Sequence, residues 1–231
     1  MRPAVLFDLD DTLLDFKKAE SVAIRRTLSA VGAPANDETA ARYSAINDAH
    51  WKRLEKGELT RVQVLTGRFA QLFQELGVSF SAEEAWHIYE KNLSEGHWFI
   101  DGAEDLLETL APHYTLCLVS NGTASVQDKR IESAGIAHYF EQIFISQRVG
   151  VNKPAAAFFD HCFAALPHLD RTHTIIVGDS LTSDILGGRH AGIHTCWFNP
   201  HHLPPRTDIP ADYEIAALHE LPPLLERIFG E

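Results

Sequence analysis

Asp8 and Asp10 stand two residues apart at the end of the apolar run Pro3-Ala4-Val5-Leu6-Phe7. Residues so spaced in an extended chain point to the same side, so the two carboxylates would share one small volume while Leu9 faces away. Like charges that close repel, which raises the pKa of one of them unless a cation lies between them. A divalent metal and a proton-transfer role are the outlets for such a pair. Thr12 completes the pattern Asp-x-Asp-x-Thr. The apolar run itself reads as a short strand of a parallel sheet covered on both faces, because it is unbroken rather than alternating.

Three further stretches place polar residues directly behind apolar runs. Ser120-Asn121-Gly122-Thr123 follows Thr115 to Val119, and its glycine allows close backbone approach just where a helix would offer free amides to a phosphate oxygen. Lys153-Pro154 precedes an apolar segment, and proline at a first helical position would aim the Lys153 ammonium off the helix start. Gly178-Asp179-Ser180 follows Thr174 to Val177, with Asp184 one turn on. Asp179 and Asp184 could reach one ion with the hard oxygen ligands that Mg2+ prefers, although Asp184 would also suit a helix N-terminus by charge alone.

The elements needed to bring these stretches together are legible in the periodicity. Residues 15 to 98 are helical in pattern, with helices expected from Ala19 to Val31, Asp37 to Lys56, Arg61 to Leu76 and Ala82 to Ser94. Thr60 with Gln63 and Ser81 with Glu84 read as capping boxes. From Asp101 onward strands and helices alternate, the mark of a doubly wound parallel sheet. Strands are expected at Thr115 to Val119, Gln142 to Ile145, Thr174 to Val177 and Thr195 to Phe198, with helices at 103–111, 124–134, 155–166 and 182–191 and a closing helix at about 215–228. The fold class is therefore α/β: a doubly wound core domain, residues 1–15 and 99–231, with a helical-bundle cap domain, residues 16–98, inserted after the first strand. In such a sheet ligands bind beyond the carboxyl ends of the strands, where all four polar stretches fall.

Composition narrows the partners. The chain has 231 residues, 45% of them apolar, enough to bury a full core. Its formal net charge of -12 argues against a nucleic-acid polymer, which needs a basic face. The absence of an apolar leader or a long apolar run predicts a cytoplasmic protein without a membrane anchor. Cys117, Cys162 and Cys196 lie apart in apolar surroundings and read as small core residues.

Taken together, Asp8-x-Asp10-x-Thr12, Ser120-Asn121-Gly122, Lys153-Pro154 and Gly178-Asp179-Ser180 with Asp184 resemble, in order, the four signatures of the haloacid dehalogenase-like phosphohydrolases. The helical insertion resembles that family's small subclass I cap. The resemblance implies a Rossmann-like core, with Asp8 as nucleophile forming an aspartyl phosphate and Asp10 as general acid and base. It implies Mg2+ held by the Asp8 carboxylate, the Asp10 main-chain carbonyl and Asp179, with Asp184 as ligand or support. Thr12, Ser120, Asn121, Gly122 and Lys153 would bind the phosphate, Lys153 acting in catalysis as well. An acid at position 10 points to phosphate esters, since the family's dehalogenases lack this second acid, halide departure needing no proton.

A finer resemblance is to the bacterial pyrimidine 5'-nucleotidase group. It is carried by Asn47-Asp48-Ala49-His50-Trp51, Gly57-Glu58-Leu59-Thr60, Gly67-Arg68-Phe69, Val149 to Pro154, Ser183 to Gly188 and Thr195 to Asn199. Arg148 departs from that group, where Glu is expected. The resemblance implies a small phosphorylated metabolite as partner, a nucleoside monophosphate such as UMP or dTMP, acted on by a monomer or homodimer. Alternatives are a sugar phosphate, phosphoglycolate, phosphoryl transfer in a mutase, or a non-catalytic binding protein on the same scaffold. In the cap, Trp51, Arg53, Lys56 and Arg61 are the specificity candidates, an aromatic ring and cations suiting a nucleotide.

Overall fold

The computed structural model describes residues 2–230. It divides into two compact units: the chain through Asp15 together with everything from Phe99 onward, and the segment Phe16–Trp98.

In the first unit, β1 (Ala4–Phe7), β2 (Thr115–Ser120), β3 (Gln142–Ile145), β4 (Thr174–Gly178), β5 (His194–Phe198) and β6 (Tyr213–Ile215) form one six-stranded sheet of order β3-β2-β1-β4-β5-β6. All its pairings are parallel. Between them run α5 (Ala103–Leu110), α6 (Ala124–Ala134), α7 (Ser146–Val149), α8 (Ala156–Ala165) and α9 (Leu186–Ala191), and α10 (Leu221–Phe229) closes the chain. The chain winds outward from β1 to β2 and β3 on one side, and from β4 to β6 on the other. This reversal opens a crevice at the carboxyl end of β1, flanked by β2 and β4.

Side-chain alternation makes β1 the keystone. Val5 and Phe7 pack on one face with Leu116, Leu118, Ile175 and Val177, while Leu6 packs on the other with Cys117, Ile176, Phe158 and Phe159. Each fully buried Leu, Ile or Phe contributes about 1.5–3 kcal/mol by leaving water, so β1 cannot slip by a residue without moving both faces. Its register places Phe7 beside Leu118 and Val177, which brings Asp8 level with Val119 and Gly178. All three cysteines are free and buried.

The second unit consists of α1 (Phe16–Ala30), α2 (Asp37–Glu55), α3 (Arg61–Leu76) and α4 (Ala82–Leu93). Thr60 forms the expected capping box, its hydroxyl accepting from the Gln63 amide at 3.3 Å and its own amide donating to Gln63 Oε1 at 2.8 Å. The interior is aromatic and polar at once. Tyr43, Phe69 and Tyr89 pack with ring centroids 5.2–5.6 Å apart. Arg68, buried beside them, donates to Asn47 Oδ1 at 2.7 Å, and Asn47 donates to Glu20 Oε1 at 2.8 Å. No helix among the described residues is long and apolar enough to cross a membrane.

Three expectations need correction. Tyr213–Ile215 is an edge strand paired with β5, and the last helix starts only at Leu221, where Pro222 and Pro223 suit a first turn but no later one. Pro154 is not a first helical residue: α8 begins at Ala156, and the Lys153–Pro154 bond is cis. The segment after Asp179 enters α9 through a π-helical turn, Leu181–Ile185.

Candidate active site

The crevice at the end of β1 gathers residues from every one of the four polar stretches. Beyond Phe7 the strand gives way to a tight turn. Leu13 and Leu14 both donate to the Leu9 carbonyl, at 3.0 and 2.9 Å, and Asp11 takes a left-handed conformation with φ of 58° that a short polar side chain tolerates. The Asp8 amide still donates to Val177 at 3.0 Å, so its side chain is fixed at the strand tip.

Lys153 ties the centre together. Its ammonium donates to Asp8 Oδ1 at 2.6 Å, Asp184 Oδ1 at 2.6 Å and the Val119 carbonyl at 2.8 Å, which uses all three of its N–H groups. The side chain is turned inward because Asn121 clamps the backbone of Lys153 from both sides, with Lys153 N donating to Asn121 Oδ1 and Asn121 Nδ2 donating to Lys153 O, each at 2.9 Å. Lys153 and Asp184 are each only 1% exposed. Asp184 also accepts from the Ser180 amide at 3.1 Å, and the approach needs Gly178: a Cβ there would lie 2.3 Å from Asp184 Oδ2.

Asp8, Asp179 and Asp184 each offer a carboxylate oxygen within 4.8 Å of the others. Three carboxylates face one ammonium, so negative charge is in excess. Burial, with Asp184 and Asp10 nearby, pushes Asp8 up to about 8 against the pull of Lys153. Burial and the neighbouring Asp8 and Asp184 likewise hold Asp179 well above the usual carboxylate range. Burial alone would lower Lys153, but Asp184 and Asp8 outweigh it and hold the ammonium above its ordinary value. A trio of hard oxygen donors, two buried and Asp179 half-buried, with surplus negative charge fits a small divalent cation, which would relieve the repulsion.

The Asp10 carboxylate lies outside this trio. It accepts from Gln127 Nε2 at 2.7 Å and pairs with Arg130 Nη1. Thr12, expected at the phosphate, is fully buried instead and braces the site: its hydroxyl donates to Asp8 Oδ2 at 3.4 Å and accepts from the Asp179 amide at 3.1 Å. Ser120 Oγ accepts from the Gly122 amide at 3.1 Å and from Gln127 Nε2 at 2.8 Å. Gln127 and Arg130 were not among the expected site residues. The signal available was their spacing of three on a helix that starts directly behind Ser120-Asn121-Gly122, which puts both on one face.

All four specificity candidates lie in the helical unit. The Arg61 guanidinium lies 5.5 Å from the ring centroid of half-buried Trp51. Arg53 pairs with Glu58 at 3.2 Å, both half exposed, and Lys56 is exposed at the end of α2.

A family model described as haloacid dehalogenase-like hydrolase matches residues 5–198. The Bacillus subtilis (strain 168) HAD-hydrolase YfnB is 40% identical over 94% of this chain and 92% of its own. Its crystal structure bound to magnesium superimposes with a TM-score of 0.93 over 97% of this chain and 98% of that one, at 39% identity. Two relatives are named pyrimidine 5'-nucleotidases: PynA of Streptococcus pneumoniae (strain ATCC BAA-255 / R6), 35% identical over 96% of this chain and 94% of its own, and YjjG of Escherichia coli (strain K12), 32% identical over 96% of each.

Proposed function

The chain belongs to the haloacid dehalogenase-like hydrolase family and is a phosphomonoester hydrolase, and from that premise we propose that it is a Mg2+-dependent nucleoside 5'-monophosphatase acting through an aspartyl phosphate on Asp8. The observation that carries the chemistry is the position of Asp8, at the tip of the central strand with Lys153, Asp179 and Asp184 around it. The observation that supports the substrate is the near full-length likeness to PynA and YjjG.

In this reading an Asp8 oxygen attacks phosphorus while the ester P–O bond breaks, and Asp10 passes its proton to the departing alkoxide. Asp10 then takes a proton from water, whose oxygen attacks the phosphorus of the aspartyl phosphate, releasing inorganic phosphate and restoring the Asp8 carboxylate. The carboxylates of Asp8, Asp179 and Asp184 would hold Mg2+ with the Asp10 carbonyl; bound there, it supplies positive charge to the transferring phosphoryl oxygens. The likeness to a structure bound to magnesium supports that choice of ion. Lys153 holds the nucleophile in place and keeps part of the carboxylate charge neutral. The Ser120 hydroxyl donates to the phosphoryl group.

Phosphate release from UMP, dUMP and dTMP, compared with sugar phosphates and phosphoglycolate, tests the substrate. The nucleotides are expected to lead in kcat/KM, and a sugar phosphate tenfold better than all of them would overturn the nucleotidase assignment. Asp8→Asn, which exchanges one small polar group for another, is expected to fold with an unchanged circular dichroism spectrum and to lose turnover. Substantial residual activity would remove the covalent step.

A further inference from the structure

Two buried polar side chains of α6 have no part in the chemistry described so far. Gln127 is 1% exposed and Arg130 is fully buried. A buried guanidinium is costly unless its charge is matched, and Arg130 spends Nη1 on Asp10 Oδ1 and on Gln127 Oε1, the latter at 3.0 Å. The Gln127 amide then has one orientation open to it. Its oxygen faces the guanidinium, and its nitrogen donates to Asp10 Oδ2 at 2.7 Å and Ser120 Oγ at 2.8 Å, using both amide hydrogens. Turned over, the amide would set its oxygen against a carboxylate.

Two consequences follow for the reacting groups. Both oxygens of Asp10 are pinned by donors 117 and 120 residues away in sequence, yet each keeps a second lone pair, and the side chain is 27% exposed. Ser120 Oγ receives hydrogen bonds from Gln127 and from the Gly122 amide, so both its lone pairs are engaged and its own hydrogen is left to donate to another acceptor. The loop is shaped around this arrangement: a Cβ on Gly122 would lie 2.5 Å from Gln127 Nε2 and 2.6 Å from Gln127 Cδ. Any side chain at position 122 would evict Gln127.

We propose that Gln127 and Arg130 are positioning residues for phosphoester cleavage: Arg130 aims the Asp10 carboxyl group at the leaving oxygen, and Gln127 couples that aim to the direction of the Ser120 hydroxyl. The inference rests on Asp10 serving as the general acid. It is independent of which alcohol leaves.

Leaving-group dependence separates positioning from mere structural support. An alkoxide needs the proton of Asp10 to depart, whereas nitrophenolate is stable without it, and kcat/KM reports only the steps through this cleavage. The pair compared is p-nitrophenyl phosphate and whichever of UMP and a sugar phosphate the wild type splits faster, so an error in the natural substrate leaves the test intact. Arg130→Met is expected to lower kcat/KM about a hundredfold for the alkyl ester and about threefold for the aryl ester, the scale on which a misplaced acid–base group acts. Arg130→Lys, which keeps the charge, is expected to recover most of the alkyl-ester rate. Gln127→Glu, of equal size but with neither amide donor, is expected to slow both esters and raise KM for both, because Ser120 loses its orientation as well. Equal losses on the two esters in a folded Arg130→Met enzyme overturn the proposal. Where that variant does not fold, Arg130→Gln, which removes the charge but keeps a donor, decides: a larger loss on the alkyl ester than on the aryl ester supports the proposal, and an unchanged ratio of the two esters overturns it.

Discussion

At Lys153 a single ammonium commits all three of its N–H groups to two carboxylates and a strand-end carbonyl. Removing one partner of a buried ion pair leaves the other charge uncompensated, which typically costs about 3–5 kcal/mol. Lys153→Met keeps the apolar stem and deletes the charge, so urea denaturation in EDTA at pH 8 is expected to show a loss of that size. The loss is expected to shrink toward pH 5, because Asp8 is raised to about 8 and is protonated there, so less charge is left unpaired. A loss that does not vary with pH would mean that the charge of Asp8 is not what Lys153 compensates. Sequence pattern marked Lys153 as a cation before a helix; it contained nothing of Asn121, whose side chain grips the lysine backbone from 32 residues away and turns the ammonium inward.

At the scale of the element, β4 and the π-helical turn behind it work as one piece. The strand must end in Gly178 so that the Asp184 carboxylate can fold back against it while its amide donates to the Ser180 carbonyl at 2.9 Å. Gly178→Ala would place a methyl 2.3 Å from Asp184 Oδ2, so the carboxylate must leave its position. Misplacing a group that supports a metal typically costs about 10–100-fold in affinity, and titration calorimetry with Mg2+ is expected to show a loss in that range. An unchanged affinity would mean that Asp184 does not serve the ion. The strands β1 to β5 and the long helices were legible because their apolar patterns are set by burial on one or two faces. The edge strand β6 was not: three residues, one of them buried, carry too little alternation to be told from a helix start, and pairing with β5 decides them.

For the molecule as a whole, the surplus of buried carboxylates makes stability depend on pH and metal together. Asp8 is raised from 3.8 to about 8 on folding, so its contribution to stability is fully present below the unfolded value and is lost as pH rises through the folded one. The metal-free protein is therefore expected to melt lower at pH 8.5 than at pH 5.5 by this contribution. Mg2+, which in the proposed reading would bind the ionised groups, is expected to reverse the loss. At a hundred times its dissociation constant it adds about 2.7 kcal/mol, or roughly 5–10 °C in Tm for a chain of this length. Calorimetric scans in EDTA and in Mg2+ check this through the gap between the two curves, which should widen with pH. A gap independent of pH would place the ion away from these carboxylates.

By itself the sequence determined a parallel α/β sheet with a helical block inserted behind its first strand, and it put acids and a serine at the strand tips and a lysine ahead of a helix. Burial forces that much, since apolar runs of these lengths have few ways to leave water and their polar ends must emerge at one edge. Only the tertiary structure decided which side chains those tips would meet. The partners of Asp10 lie on a helix more than a hundred residues away, and Thr12 became a buried brace between Asp8 and the Asp179 loop. Such pairings depend on the direction of individual side chains across the crevice, and local periodicity, which records only the face a residue occupies, carries no information about it.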